Sequence, residues 1–233
     1  MALPGRSRGV FEGLAAALGV TPPALVAFVG GGGKTTLMMA LARELAQVAP
    51  GRVIVTTTTR IFAAQMALVP AGATLVVGPV QGDKALGVAT EEPGRFLARP
   101  GVDYVLVEAD GSRMRPVKAP AGHEPVIPPE TTLVVPVVGI DALDGPIAQV
   151  AHRPERVCAL TGLQPQDWLT PAAIAALLVH PQGGLKGVPA GARVVPFINK
   201  VETPAQIAAA QEIARLVAGV FGQVVVGAVG TRG

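Results

Sequence analysis

A chain of 233 residues that is 50% hydrophobic and 15% charged is long enough to bury one large core and too apolar to remain disordered. Its net charge of +3 comes from scattered lysines and arginines; with one Trp, one Tyr and no basic stripe, it fits an anionic small molecule such as a nucleotide better than nucleic acid. The single cysteine, Cys158, excludes an intrachain disulfide and a cysteine-cluster metal site, and is expected to be a buried small hydrophobe.

Met1 to Gly9 is polar, and Phe11 to Val20 is broken by Glu12 and Gly13, so no signal peptide is expected. The longest apolar run, Leu133 to Ile140, is too short to cross a bilayer, and a cytoplasmic protein without a membrane partner is the expectation. Aromatic residues make up only 3%, so the core must come from Val, Leu, Ile and Ala, the usual material of a sheet covered on both faces.

In chain order, Val10 to Leu18 reads as a short helix and Ala24 to Val29 as a buried strand. Gly30-Gly31-Gly32-Gly33-Lys34-Thr35-Thr36 follows. After it, Leu37, Leu41, Leu45 and Val48 recur at helical spacing up to the stop at Pro50-Gly51. Strand, glycine loop and helix in that order make a phosphate-binding loop, in which backbone amides and the helix N-terminus face one anion. Lys34 would reach the outer phosphates and the Thr35 hydroxyl would sit on Mg2+. Phe28 stands where the standard motif has its first glycine, so the loop is the shorter Gly-x-x-Gly-Lys-Thr-Thr and resembles that of the Mur ligases.

Arg52 to Val55 is a strand that ends in Thr56-Thr57-Thr58-Thr59, hydroxyls at the edge where open α/β sheets bind ligands. Thr58 is the representative candidate there, although threonine also suits a strand for its own sake. Thr74 to Val77 is a weaker strand, followed by a polar connection through Asp83 and Glu91-Glu92. Tyr104 to Val107 then delivers Glu108-Ala109-Asp110-Gly111-Ser112. An apolar strand ending in a carboxylate is the second half of a nucleotide-triphosphatase site, so Glu108 and Asp110 are candidates to hold magnesium or orient water. If the strand continues, alternation points both the same way.

Arg113 to Glu130 is too long for an ordinary connection and carries the further candidates Arg113, Lys118, His123 and Glu124. Thr131 to Ile140 is a strand. Residues 141–190 read as a helical lobe inserted between strands of a single domain spanning 1–233, with Thr170-Pro171 opening one helix. Gly183-Gly184-Leu185-Lys186-Gly187 in this lobe is a mobile turn or a second anion contact. Arg193 to Ile198 is a strand, Thr203-Pro204 opens a helix with Gln206 completing a capping box, and Gln223 to Val226 is the last strand. Ile207, Ala210, Ala214, Val217 and Phe221 are the expected core stripe of that helix. Asn199-Lys200-Val201-Glu202 resembles the guanine-reading Asn-Lys-x-Asp of GTPases, with Glu202 for the aspartate, so both ATP and GTP stay open. The fold expected is α/β, a three-layer P-loop NTPase-like arrangement around a mainly parallel sheet.

Several segments together resemble the YqeC family: the glycine loop, the threonine run, Val107 to Ser112, Lys118 to Pro128, His152-Arg153, Gly183 to Gly187 and Asn199-Lys200. The resemblance implies an accessory protein in the maturation of selenium-dependent molybdenum hydroxylases, working with their maturation proteins. The residues lead to a magnesium-dependent NTP phosphohydrolase using Gly30, Gly31, Gly32, Gly33, Lys34, Thr35 and Thr36, with Glu108 and Asp110 at the metal or water and Asn199, Lys200 and Glu202 at the base. Two alternatives stand beside it, an ATP-dependent ligase or kinase with a small acceptor and a non-catalytic nucleotide- or cofactor-binding module.

Overall fold

The computed structural model describes residues 13–229; Met1 to Gly9 and the first part of the expected N-terminal helix lie outside the described residues. Helix α1 covers Leu14–Leu18. Strand β1 (Ala24–Gly30) follows, buried on both faces. Its alternation sends Val26 and Phe28 into one apolar cluster and Leu25, Ala27 and Val29 to the opposite side. Helix α2 (Lys34–Val48) lays Leu37, Leu41 and Leu45 on the Phe28 side. Val48, expected on that face, is 77% exposed, whereas Ala46 and Ala49 beside it are buried in the cluster.

Strands β2 (Val53–Thr57), β3 (Ala73–Val76), β4 (Tyr104–Glu108) and β5 (Leu133–Gly139) come next. Helix α3 (Glu92–Leu97) precedes β4. On either side of β3, Ile61–Phe62 and the pieces Val80–Gln81 and Lys84–Ala85, the latter two in the stretch read from the sequence as polar connection, form a small antiparallel ribbon. Helices α4 (Pro154–Thr161) and α5 (Pro171–Val179), strand β6 (Phe197–Asn199), helix α6 (Pro204–Val217) and strand β7 (Val225–Val226) complete the order.

The sheet runs β7-β6-β5-β1-β4-β2-β3 and every pair along it is parallel. The expected strand from Arg193 to Ile198 is split. Arg193–Val194 pairs with Leu133–Val134 and β6 pairs with Val137–Gly139, so both pieces lie along β5 with Pro196 between them. Proline has no N–H to give the ladder; its carbonyl takes Val225 N–H at 2.9 Å instead.

Neighbouring residues on one strand serve opposite layers. Phe197 joins the α2 cluster, whereas Ile198 joins Ile174 and Leu177 of α5 and Ile213 of α6. The architecture is therefore a three-layer α/β fold on a parallel sheet, with a glycine loop at the carboxyl end of its central strand. In α6 the core stripe holds Ala210, Ile213 and Val217, while the expected Ile207 is 36% exposed; the packed face is centred slightly around the helix from the sequence expectation. Cys158 is half-buried rather than buried.

The capping box of α6 is formed: Gln206 N–H donates to the Thr203 hydroxyl at 3.3 Å, and Thr203 N–H to Gln206 Oε1 at 3.1 Å. Thr203→Ala should cost about 1 kcal/mol in urea unfolding and Thr203→Ser much less.

Candidate functional site

The glycine loop is wedged between the end of β5 and the turn that follows β4. Gly31 N–H donates to Val137 O at 2.9 Å, and Gly32 N–H to Arg115 O at 3.0 Å. A Cβ on Gly32, whose φ is +68°, would stand 2.0 Å from the Gly139 nitrogen, and one on Gly31 2.6 Å from Arg115 O. Only glycine permits this approach. The N–H groups of Gly33, Lys34, Thr35 and Thr36 find no acceptor among the described residues. They are the open donors at the positive end of α2, the arrangement that binds phosphate.

Three charged groups surround the root of that helix. The Lys34 ammonium, 3% exposed as a residue, donates to Gly30 O at 2.7 Å and lies 3.1 Å from Asp110 Oδ1 and 3.9 Å from Glu108 Oε1. The Thr35 hydroxyl donates to Glu108 Oε2 at 2.7 Å. Burial pushes the Glu108 carboxyl above its usual range, against the opposing pull of Lys34 and the Thr35 hydrogen bond. Strand β4 ends at Glu108, but Ala109 N–H still donates to Phe28 O at 3.0 Å, and Asp110 beyond it accepts Gly30 N–H at Oδ2 at 3.0 Å.

A hydroxyl next to a carboxylate, close to open backbone amides, suits magnesium, which uses one or two carboxylates and leaves its other positions to phosphate and water. Among the described residues no cluster of three or more His, Cys, Asp or Glu forms a cation site from side chains alone.

Asp110 also begins a chain of alternating charges. Its Oδ2 lies 3.1 Å from the buried Lys118 ammonium, which donates to Gly111 O at 2.6 Å and Glu124 Oε2 at 2.7 Å. Arg153 closes the chain, donating to Glu124 Oε2 at 2.7 Å and Oε1 at 3.3 Å. For Glu124, burial works upward but Lys118 and Arg153 outweigh it and hold the carboxyl down at about 2. Burial, with the charges of Arg153 and Lys118, holds His152 down at about 4. His123 sits at the rim of the chain, its Nε2 4.0 Å from Glu124 Oε1 and its side chain 78% exposed.

The remaining candidates are more peripheral. Thr58 donates its hydroxyl to Val126 O at 2.6 Å and so ties the Lys118–Pro128 segment to β2. Arg113 is exposed, on a turn where it and Met114 have positive φ. Lys186 donates to the carbonyls of Ala121 and Gly122. Asn199 is buried: its amide donates to Gly32 O at 2.8 Å and its Oδ1 accepts from Lys200 N–H at 2.8 Å and Val229 N–H at 3.0 Å. Lys200 pairs with Asp141 at 2.6 Å, and Glu202 is exposed.

Sequence reasoning missed Gln65. Its Nε2 donates to the Thr35 hydroxyl at 3.1 Å while Oε1 accepts Phe62 N–H at 3.1 Å. No local pattern marks this glutamine; the fold of the segment after β2 brings it to the site.

The sequence matches the family described as YqeC protein over residues 26–155, a span that includes the glycine loop, Glu108, Asp110, Lys118 and Glu124. "Uncharacterized protein YqeC" of Escherichia coli (strain K12) is 37% identical over 199 residues, covering 76% of this chain and 76% of that protein. Among solved structures, that of chloroplast FtsY from Physcomitrella patens aligns with 90% of this chain and 51% of its own, at 16% identity and a TM-score of 0.36. The chain thus spans about half the length of that structure.

The shifted groups set an acid-stability profile. His152 and Glu124 both bind protons less readily folded than unfolded, so stability present at neutral pH is lost as pH falls. For His152 the window runs from 6.5 to about 4, and for Glu124 from 4.5 to about 2. Urea unfolding as a function of pH should show both losses, with Glu124 accounting for roughly 2 kcal/mol after solvent screening. His152→Asn should flatten the upper window and Glu124→Gln the lower.

Proposed function

The chain belongs to the YqeC family, and we propose that its glycine loop binds a nucleoside triphosphate, ATP or GTP, with magnesium and hydrolyses it. The observation that carries this reading is the Thr35 hydroxyl 2.7 Å from Glu108, close to the open amides of α2. Gly33 to Thr36 would hold phosphate oxygens through N–H groups, and Lys34 would exchange Gly30 O for the outer phosphates. Thr35 and Glu108 would hold the ion. Bound magnesium would offset the negative charge that grows on the phosphates during transfer. Asp110, fixed by Gly30 N–H and Lys118, would orient the attacking water through Oδ1.

Asn199, Lys200 and Glu202 are the proposed base contacts; the Asn199 tie to Gly32 O supports a base lying near the loop. By the resemblance to the YqeC family, hydrolysis would serve the maturation of a selenium-dependent molybdenum hydroxylase. The Gly-x-x-Gly-Lys-Thr-Thr spacing favours, as a second reading, transfer to a small acceptor in the manner of a ligase or kinase.

Phosphate release from ATP and GTP, with and without magnesium, tests the assignment. The wild type should release phosphate only with magnesium. Glu108→Gln should slow release about a hundredfold while nucleotide binding changes by no more than a few-fold. Release unchanged by Glu108→Gln would contradict the role given to that carboxylate, and product formed only with an added acceptor would favour the second reading.

A further inference from the structure

Gln65 meets the candidate ion site from a segment to which the proposed reaction gives no part. It lies in the helical turn Ala63–Met66 and is half-buried. Its two polar ends can be told apart by what they face. A backbone N–H only donates, so the atom 3.1 Å from the Phe62 nitrogen is the amide oxygen of Gln65. The amide nitrogen therefore faces the Thr35 hydroxyl, 3.1 Å away, and donates to it. Among the described residues this is the one hydrogen bond between residues 61–69 and α2.

That orientation determines where the Thr35 proton goes. A hydroxyl has one proton to give and two lone pairs that accept. Gln65 presents only protons to it, whereas Glu108, as an ionised carboxylate, only accepts. The Thr35 proton is therefore on the Glu108 side, in the 2.7 Å contact with Oε2. One lone pair of Thr35 is taken by Gln65. The other is what Thr35 has left to offer a cation.

We infer that Gln65 is a positioning residue for the ion: by donating to the Thr35 hydroxyl it holds that proton on Glu108 and leaves one Thr35 lone pair for magnesium. The inference rests on the nucleotide reading above and adds to it a residue outside the glycine loop and β4. Capping Phe62 N–H engages Oε1 alone and does not account for the contact made by Nε2. Magnesium demands near-ideal octahedral geometry, so a ligand already turned to the right orientation binds it better. Loss of a partner that orients a metal ligand typically costs about 10–100-fold in metal affinity, and a single hydrogen bond between neutral groups belongs at the lower end, about tenfold.

The test compares dissociation constants of ATP and GTP, with and without magnesium, for the full chain as wild type, Gln65→Met, Gln65→Ala, Thr35→Val and the Thr35→Val, Gln65→Met double variant. The readout is the factor by which magnesium strengthens binding. Both Gln65 variants should lower that factor about tenfold while the magnesium-free constant stays unchanged. Loss of the Phe62 cap alone would change both constants alike or neither. In the Thr35→Val background, which has no hydroxyl to position, Gln65→Met should lower the factor no further. The two Gln65 substitutions leave different lengths of side chain, so if one fails to fold the other decides. A magnesium factor unchanged or raised in the Gln65 variants, equal losses with and without magnesium, or a further loss in the Thr35→Val background would overturn the inference and leave the nucleotide reading standing. A wild type that binds neither nucleotide, or binds without any effect of magnesium, would contradict the nucleotide reading itself and remove the inference with it.

Discussion

Two buried lysines share one buried carboxylate. Lys34 and Lys118 lie on either side of Asp110, at 3.1 Å from its two oxygens, and the site depends on that sharing. Burying ions is costly unless geometry and further hydrogen bonds compensate, and here backbone groups supply those bonds: Gly30 N–H to Asp110, Gly30 O to Lys34 and Gly111 O to Lys118. The same contacts fix the first glycine of the loop. Charge balance and loop geometry are therefore one problem with one solution. Glu124 and Arg153 extend the alternation to the start of α4, so the layer beyond the loop is joined to it by ionic contacts as well as by apolar packing.

The sheet explains why these groups meet. With β1 between β4 and β5, the carboxyl end of one strand provides the loop, its neighbour provides Glu108, and the other provides the carbonyl that holds Gly31. Parallel strands buried on both faces leave their ends as the natural place for polar chemistry. The loop then has backbone on two sides, at Arg115 and at Gly139, and this close approach is what requires glycine at Gly31 and Gly32. Asn199 ties the same loop to the end of β6, through Gly32 O.

How much of this is legible in the sequence follows from the range of each signal. The strand, the glycine loop and α2 are local patterns, as are Glu108 at the end of an apolar run and the Thr203 capping box, and the structure places each where the pattern suggests. Val48 and Ile207 mislead because periodicity reports which residues could share a face, whereas the neighbouring elements decide where the packed face is centred. Strand pieces two residues long, such as Ile61–Phe62 and Lys84–Ala85, have no period to detect. The chain Asp110–Lys118–Glu124–Arg153 and the contact of Gln65 with Thr35 arise between segments far apart in sequence, so residue identities alone do not pair them. Asp110 lies just past the assigned end of β4, where its contact with Gly30 N–H depends on the neighbouring strand and not on its own segment.

The most direct test of the central claim is equilibrium binding of ATP and GTP, each with and without magnesium, to the wild type and to Lys34→Ala. The expected result is magnesium-strengthened binding of one nucleotide that falls by about a hundredfold or more in Lys34→Ala, as loss of a charge-assisted phosphate contact requires. Absence of binding of either nucleotide to the wild type, or equal binding by the two proteins, would contradict the phosphate-binding role of the loop.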